Sequence, residues 1–238
     1  TNDVLGRSYA SSGLFTSGSN GKLTNINLST IAAEIEPIKN LTFQLGFSYR
    51  TLESASDTFS LDYYTDNTFT TTKSEVKQSE INVQLEFTPK RKTIGYGVER
   101  REVDSPYSRI FVNYSSGFKG LIDSDFDYQK LQLYYRQPLI IGAIGRSNFT
   151  MELGKTFGQI PLGLMSVVPG NQTYFIINNT FSNLNFYEFV TDEYATFQWE
   201  HNFNGKIFSR IPYLRKLNLR EIIGLRGVYG TISDENRA

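Results

Sequence analysis

The chain has 238 residues, a formal net charge of zero, no cysteine and 14% aromatic residues, with fifteen Tyr and eighteen Phe against one Trp. Without cysteine it can form neither a disulfide nor a thiolate metal site, and zero net charge gives no sign of a nucleic-acid partner. No apolar run in the sequence approaches the roughly 20 residues that a membrane-spanning helix requires. We predict one all-β unit over residues 1–238, without an internal domain boundary.

Alternating apolar and polar residues predict β-strands along most of the chain, because successive side chains of a strand point to opposite faces. The first predicted pair is Ser29–Ile38 and Leu41–Arg50, separated only by Lys39 and Asn40, a spacing typical of a tight hairpin. Glu80–Phe87 matches the two-residue period throughout. The remaining predicted strands are, in chain order, Ser108–Phe118, Asp125–Pro138, Ser147–Phe157, Tyr194–Gly205 and Leu217–Tyr229.

Two kinds of protein give strands with one aromatic face and one polar face. A soluble β-sandwich buries the aromatic face in its core, whereas a transmembrane barrel turns it toward lipid and keeps the polar face in a wet lumen. Several predicted strands are about 10 to 13 residues long, which fits the roughly 9 to 11 residues of a tilted membrane strand better than the 5 to 6 of a globular one. We therefore favour an antiparallel transmembrane β-barrel of the outer-membrane type, and the soluble sandwich binding module stays open as the alternative.

Connection lengths support this preference. Lys39-Asn40 and Pro138–Gly145 are short, whereas Glu53–Lys77 is long and polar. Short turns at one end and long loops at the other are typical of outer-membrane barrels.

The alternation then assigns faces to individual side chains. The residues predicted to face lipid are Phe43, Leu45, Phe47, Val83, Leu85, Phe197, Trp199 and Phe203. The residues predicted to face the lumen are Glu80, Gln84, Glu86, Lys130, Arg136, Glu152, Gln198 and Glu200.

Residues that could carry chemistry are few. His201 is the only histidine, which excludes a multi-histidine metal site, and its place on the aromatic face indicates a packed or interfacial imidazole. No glycine-rich phosphate loop follows a strand and opens a helix, so nucleotide binding has no support. We predict no catalytic residue, metal or cofactor, and a non-enzymatic protein.

One apolar loop differs from the other connections. Gly158–Phe175, "GQIPLGLMSVVPGNQTYF", has two prolines and three glycines between strands. Because an apolar loop of this kind requires burial, it either caps the rim of the barrel (or the end of a sandwich) or folds inward into the barrel. Its candidate inward residues are Pro161, Leu162, Gly163, Pro169, Gly170, Asn171 and Gln172.

The second half of the chain resembles a known family. The stretches "SDFDYQKLQLYYRQPL", "PLGLMSVVPGNQTYF" and "EHNFNGKIFSRIPYLRKL" are similar to the C-terminal region of Gram-negative outer-membrane proteins that join a carboxypeptidase-regulatory-like domain to a barrel of uncharacterised function. That barrel is in turn similar to BamA/TamA-type barrels. The resemblance implies a barrel that continues beyond both ends of this chain, in contact with outer-membrane lipid.

In BamA-type barrels an inward loop carries an arginine-bearing tip, and the position that matches it here is residues 168–172, which lack the arginine. Arg226-Gly227 matches the tip dipeptide but lies in a predicted strand, so its role is not transferred. The resemblance implies a part in envelope protein assembly or translocation, with other envelope proteins as partners and neither nucleic acid nor nucleotide. A passive porin-like channel or substrate transporter is the alternative within the membrane class.

Overall fold

The computed structural model describes residues 24–56, 58–65, 69–97, 100–103, 106–171, 180–185 and 187–237. Eight long strands dominate them, which confirms the predicted all-β class, and each of the eight begins or ends within a few residues of its predicted bounds. Residues 1–23 of the predicted single unit lie outside the described residues. The strands are β1 (Thr24–Ile38), β2 (Leu41–Ser54), β3 (Val76–Phe87), β4 (Arg109–Gly117), β5 (Tyr128–Ile141), β6 (Gly145–Phe157), β7 (Glu193–Asn202) and β8 (Ile222–Thr231).

All eight strands form one antiparallel sheet in which each strand pairs with its neighbours along the chain, from β1 to β8. Antiparallel neighbours need only a direct connection, so the sequence order is also the spatial order. Among the described residues, β1 pairs only with β2 and β8 only with β7. Over the described residues the sheet is therefore open, and the finer prediction, that it is a segment of a larger transmembrane barrel, stays a prediction.

The strand predicted over Leu217–Tyr229 was wrong at its start. The structure has a short helix α1 (Pro212–Arg215) in that connection, and β8 begins only at Ile222. Proline at the first helical turn lacks an N–H that the helix would leave unpaired anyway, so Pro212 favours this helical turn.

Connections alternate between two ends of the sheet, which we call the turn end and the loop end. The turn end comprises residues 39–40, 88–108, 142–144 and 203–221, and the loop end comprises residues 55–75, 118–127 and 158–192. Both of the short connections foreseen from the sequence lie at the turn end. The asymmetry in connection length is nevertheless incomplete, because the turn end also has two long connections, residues 88–108 and 203–221.

Three small ribbons of two-residue strands lie within the long connections. Each pairs antiparallel, and they are Tyr63–Tyr64 with Thr72–Lys73, Thr93–Ile94 with Arg101–Glu102, and Ser166–Val167 with Val190–Thr191. Within the described part of the chain, no helix is both long and apolar enough to cross a membrane.

Candidate functional site

One face of the sheet, which we call the polar face, is lined by polar side chains that are buried. The register places all eight residues predicted to face the lumen on it. Glu80, Gln84 and Glu152 are buried there, with Glu152 only 1% exposed. Glu86, Lys130, Gln198 and Glu200 are half-buried, and Arg136 is exposed. Whether this face lines a lumen remains a prediction.

A continuous chain of side-chain hydrogen bonds crosses the polar face from β2 to β7. Asn82 donates to Ser48 (3.2 Å), and Ser115 donates to Asn82 (2.6 Å). Asn113 donates to Ser115 and to Gln132, each at 3.2 Å. This network satisfies polar groups that would be costly to bury alone.

The chain of hydrogen bonds ends at a buried carboxylate. Gln132 donates to the hydroxyl of Tyr194 (2.9 Å), which in turn donates to Glu152 (2.7 Å). Gly154 makes this geometry possible, because a Cβ atom there would lie 2.3 Å from the Tyr194 ring. The sequence alternation identified Glu152 but missed Tyr194 as its partner.

A second cluster on the polar face joins three strands. The guanidinium of Arg50 lies 3.0 Å from the Glu80 carboxylate and donates to the Tyr128 hydroxyl at 2.9 Å. Tyr128, which is 5% exposed, donates to the same carboxylate. Glu80 was predicted on this face, whereas Arg50 and Tyr128 were not singled out. The only indication of these two residues in the sequence is the alternating pattern of β2 and β5, which places both of them on the polar face.

The opposite face, the apolar face, exposes many large hydrophobic side chains. One row of neighbouring side chains runs across all eight strands without a polar residue: Ile35, Phe43, Leu85, Val112, Leu133, Leu153, Ala195 and Tyr229. Leu45, Leu85 and Phe197 are 49%, 42% and 39% exposed. Across the described strands, no large hydrophobic side chain on this face is buried.

The residues predicted to face lipid lie on this apolar face, with one exception. Phe43, Phe47, Val83 and Trp199 are half-buried within their strands. Phe203 lies just beyond the end of β7. Contact with lipid itself remains a prediction.

The apolar loop, for which the sequence left capping and inward folding open, packs over the polar face at the loop end. Its Ile160 and Leu164 form a buried cluster with Leu52, Val76 and Tyr128. These three partners belong to β2, β3 and β5 and occupy polar-face positions in the register. The predicted loop residues Pro161 and Pro169 are buried, Gly163, Gly170 and Asn171 are half-buried, Leu162 is exposed, and Gln172 lies outside the described residues.

Close backbone contacts fix the distal part of this loop. Phe181 donates its amide to the Pro169 carbonyl (2.9 Å), and Asn171 donates to the Phe181 carbonyl (3.2 Å). A Cβ atom at Gly170 would lie 2.3 Å from the Leu184 carbonyl oxygen, so only glycine fits there. Arg226 of β8 donates to the Thr180 carbonyl at 2.9 Å. Arg226 therefore anchors this loop to the sheet. The sequence alone had given it no role.

Asp192 joins the base of the loop to the segment after β8. Its carboxylate accepts the Ser233 amide (3.0 Å) and the Asn236 side-chain amide (2.8 Å). Asn236 in turn accepts the Ile160 amide at 2.9 Å. Burial acts to raise the pKa of Asp192, but the hydrogen bonds from Ser233 and Asn236 outweigh it and leave the pKa below its ordinary value.

His201 is a packed residue on the apolar face. It is 5% exposed, its Nδ1 lies 2.6 Å from the Ser147 hydroxyl, and its ring centroid is 4.3 Å from that of Phe203. Its Nε2 has no hydrogen-bond partner among the described residues. The pair thus lacks a third group to orient the imidazole as in a catalytic triad. Within the described ranges, no cluster of three His, Cys, Asp or Glu side chains could hold a metal.

The chain belongs to the family described as the C-terminal domain of a family of unknown function (DUF5686), whose model matches residues 14–234. No curated protein and no solved structure matches the chain.

Proposed function

We propose that this member of the DUF5686 C-terminal domain family forms part of the wall of a transmembrane β-barrel in the outer membrane of a Gram-negative bacterium. Its apolar face contacts lipid and its polar face lines the lumen. The observation that carries the proposal is the inverted burial, with exposed apolar side chains on one face and buried polar side chains on the other.

The free energy of hydration decides between lipid and water on the apolar face. Moving one Val, Leu, Ile or Phe side chain out of water is worth about 1.5–3 kcal/mol. A sheet whose uninterrupted apolar row is exposed or only half-buried gives up part of this term in water and recovers it in hydrocarbon. The alternative of a soluble sandwich requires a second sheet over the apolar face, and outside the large sheet the only strands of the described residues are the two-residue strands of the three small ribbons.

The polar face supports a structural and interactive role. Two of its buried carboxylates are tied into hydrogen-bonded clusters, with Glu80 bound by Arg50 and Glu152 bound by Tyr194. The outer edges of β1 and β8, among the described residues, have no strand beside them, and such edges pair readily with a further strand. These features favour assembly or passage of envelope proteins over chemical catalysis.

The passive channel is the second candidate, and one observation bears on it. The loop of residues 158–171 packs over the polar face at the loop end, which narrows any passage along that face. We therefore expect no steady conductance from the protein in planar bilayers. Steady open pores would favour the channel instead.

The single tryptophan tests the lipid assignment directly. Trp199 lies on the apolar face, and its indole N–H has no hydrogen-bond partner in the described structure. In vesicles that contain lipids brominated on the acyl chains, we expect strong quenching of its fluorescence and weak quenching by aqueous iodide.

A matched control moves the tryptophan by one residue. The double variant Trp199→Phe, Gln198→Trp carries its only indole on the polar face at nearly the same height. Brominated lipid should quench this variant far less than the wild type. Equal quenching of the two proteins, or stronger quenching by iodide at Trp199, would refute the lipid-facing assignment.

A further inference from the structure

The connection between β7 and β8, residues 203–221, combines basic and apolar residues in an unusual way. Over "KIFSRIPYLRKLNLRE", positions 206–221, only Glu221 is acidic. Glu221 is engaged within the connection, because it accepts a hydrogen bond from the Phe208 amide. The five basic residues are Lys206, Arg210, Arg215, Lys216 and Arg220.

The basic side chains are available to a partner. Arg210, Arg215, Lys216 and Arg220 are exposed and Lys206 is half-buried. None of the five takes part in an ion pair among the described residues. Their charge is therefore not neutralised within the described fold.

Large apolar side chains are exposed between these cations. Tyr213 is 87% exposed and Leu217 is 62% exposed. The full set of exposed apolar residues in the connection is Ile207, Ile211, Tyr213, Leu217 and Leu219. Such a concentration within one connection marks an interaction surface.

The connection is folded, so these side chains are held together. Phe203 donates its amide to the Glu221 carbonyl (3.0 Å), which closes the base of the connection. Ser209 donates to Gly205 and Arg215 donates to Ile211, each at 2.9 Å, in successive helical turns. The connection thus presents a defined basic and apolar surface at the turn end of the sheet.

Charge is sorted between the two ends of the molecule. Among the described residues, the connections of the turn end (within 39–40, 88–108, 142–144 and 203–221) contain eleven Lys and Arg against two Asp and Glu. The described residues of the loop end and of the segment after β8 (within 55–75, 118–127, 158–192 and 232–237) contain three Lys and Arg against nine Asp and Glu. Behind the zero net charge of the chain, the described part of the fold therefore has a basic end and an acidic end.

We propose that the β7–β8 connection binds the anionic headgroups of a phospholipid bilayer at the turn end, with its apolar side chains inserted at the interface. This inference rests on the proposed membrane function, because the connection adjoins the rim of the apolar face. Cations interleaved with apolar residues match a surface that offers phosphate groups above acyl chains. A purely ionic partner would leave the five apolar side chains in water.

The test uses the full chain in vesicles of phosphatidylcholine alone and in vesicles that also contain phosphatidylglycerol. Because the chain has no cysteine, Tyr213→Cys offers a single position for a polarity-sensitive fluorophore, and Leu217→Cys repeats the measurement at a second position. Tyr64→Cys is the matched control, since Tyr64 is 54% exposed in a connection of the loop end.

We expect the emission of the label at position 213 or 217 to shift to the blue when phosphatidylglycerol is present, and to lose the shift at high salt. The control label at position 64 should not respond. The triple variant Arg210→Gln, Arg215→Gln, Lys216→Gln should lose the shift while the label stays in place.

Identical emission of the label in the two kinds of vesicle, or an equal response at position 64, would overturn the inference. Quenching of Trp199 by brominated lipid in the same samples separates the two proposals. If Trp199 is quenched and the label does not respond, the connection does not bind headgroups and the membrane function stands. If Trp199 is not quenched, the membrane function fails and this inference fails with it.

Discussion

Replacing Leu85 by arginine distinguishes lipid from water on the apolar face. Leu85 lies in the interior of β3, with Phe43 and Val112 beside it, and is 42% exposed. Arginine at the lipid face of a barrel near the midplane costs about 2–4 kcal/mol, roughly a 30-fold to 700-fold change in the folding equilibrium. In water, the same replacement at an exposed position would change the free energy of unfolding by only about 0.5 kcal/mol.

The assay is urea-induced unfolding in lipid vesicles, followed by Trp199 emission. Gln44→Arg is the matched control, because Gln44 is half-buried on the polar face, pairs across the strands with the residue that precedes Leu85, and borders a concave cavity of about 250 Å³. We expect Leu85→Arg to lower the free energy of unfolding by about 2–4 kcal/mol and the control to lower it far less. A Leu85→Arg protein as stable as the wild type would refute the membrane reasoning.

Three further predictions concern the polar face and its loop. Arg50→Met should lower the free energy of unfolding by about 1–3 kcal/mol, because it leaves the Glu80 carboxylate without its cation. Adding Glu80→Gln to this variant should recover part of the lost free energy in the same denaturation assay. A double variant as unstable as Arg50→Met alone would mean that the two residues are not coupled. Gly170→Ala should speed hydrogen exchange over residues 158–171, because its Cβ would overlap a backbone carbonyl, whereas Gly227→Ala, with no atom within 4 Å of its Cβ, should not. Because the pKa of Asp192 is lowered in the fold, the stabilisation from its carboxylate is complete above the unfolded pKa and is lost as pH falls through the folded pKa. The protection of the Ile160 amide from hydrogen exchange, relative to its intrinsic rate, should therefore hold from neutral pH to about pH 4 and fall below it. Asp192→Asn should abolish this pH dependence.

Much of the fold could be predicted from alternation alone. The period of two along Leu41–Arg50 or Glu80–Phe87 depends only on the geometry of an extended chain, so strands and the division of their residues between faces follow locally. The start of β8 was missed because residues 217–221, "LNLRE", alternate like a strand but belong to a connection closed by the pairing of Phe203 with Glu221. Local pattern carries no information about such a contact.

The candidate site was predictable in part for the same reason. Alternation placed Glu80 and Glu152 on the polar faces of their strands, because each is flanked by apolar residues that point to the opposite face. It could not identify Arg50 or Tyr194 as their partners, because these lie 30 and 42 residues away along the chain. Hydrogen bonds between strands depend on register, which sequence alternation leaves open.

The sequence by itself determined that the chain is a succession of strands with an apolar and a polar face, because side-chain direction in a strand is a local property. Tertiary structure alone decided which face is covered, since the loop that packs on Leu52 and Val76 comes from a distant part of the chain. It also decided where the charges lie. A net charge of zero gave no hint of a charged surface, yet a meander of eight antiparallel strands carries alternate connections to opposite ends and so separates the basic segments from the acidic ones.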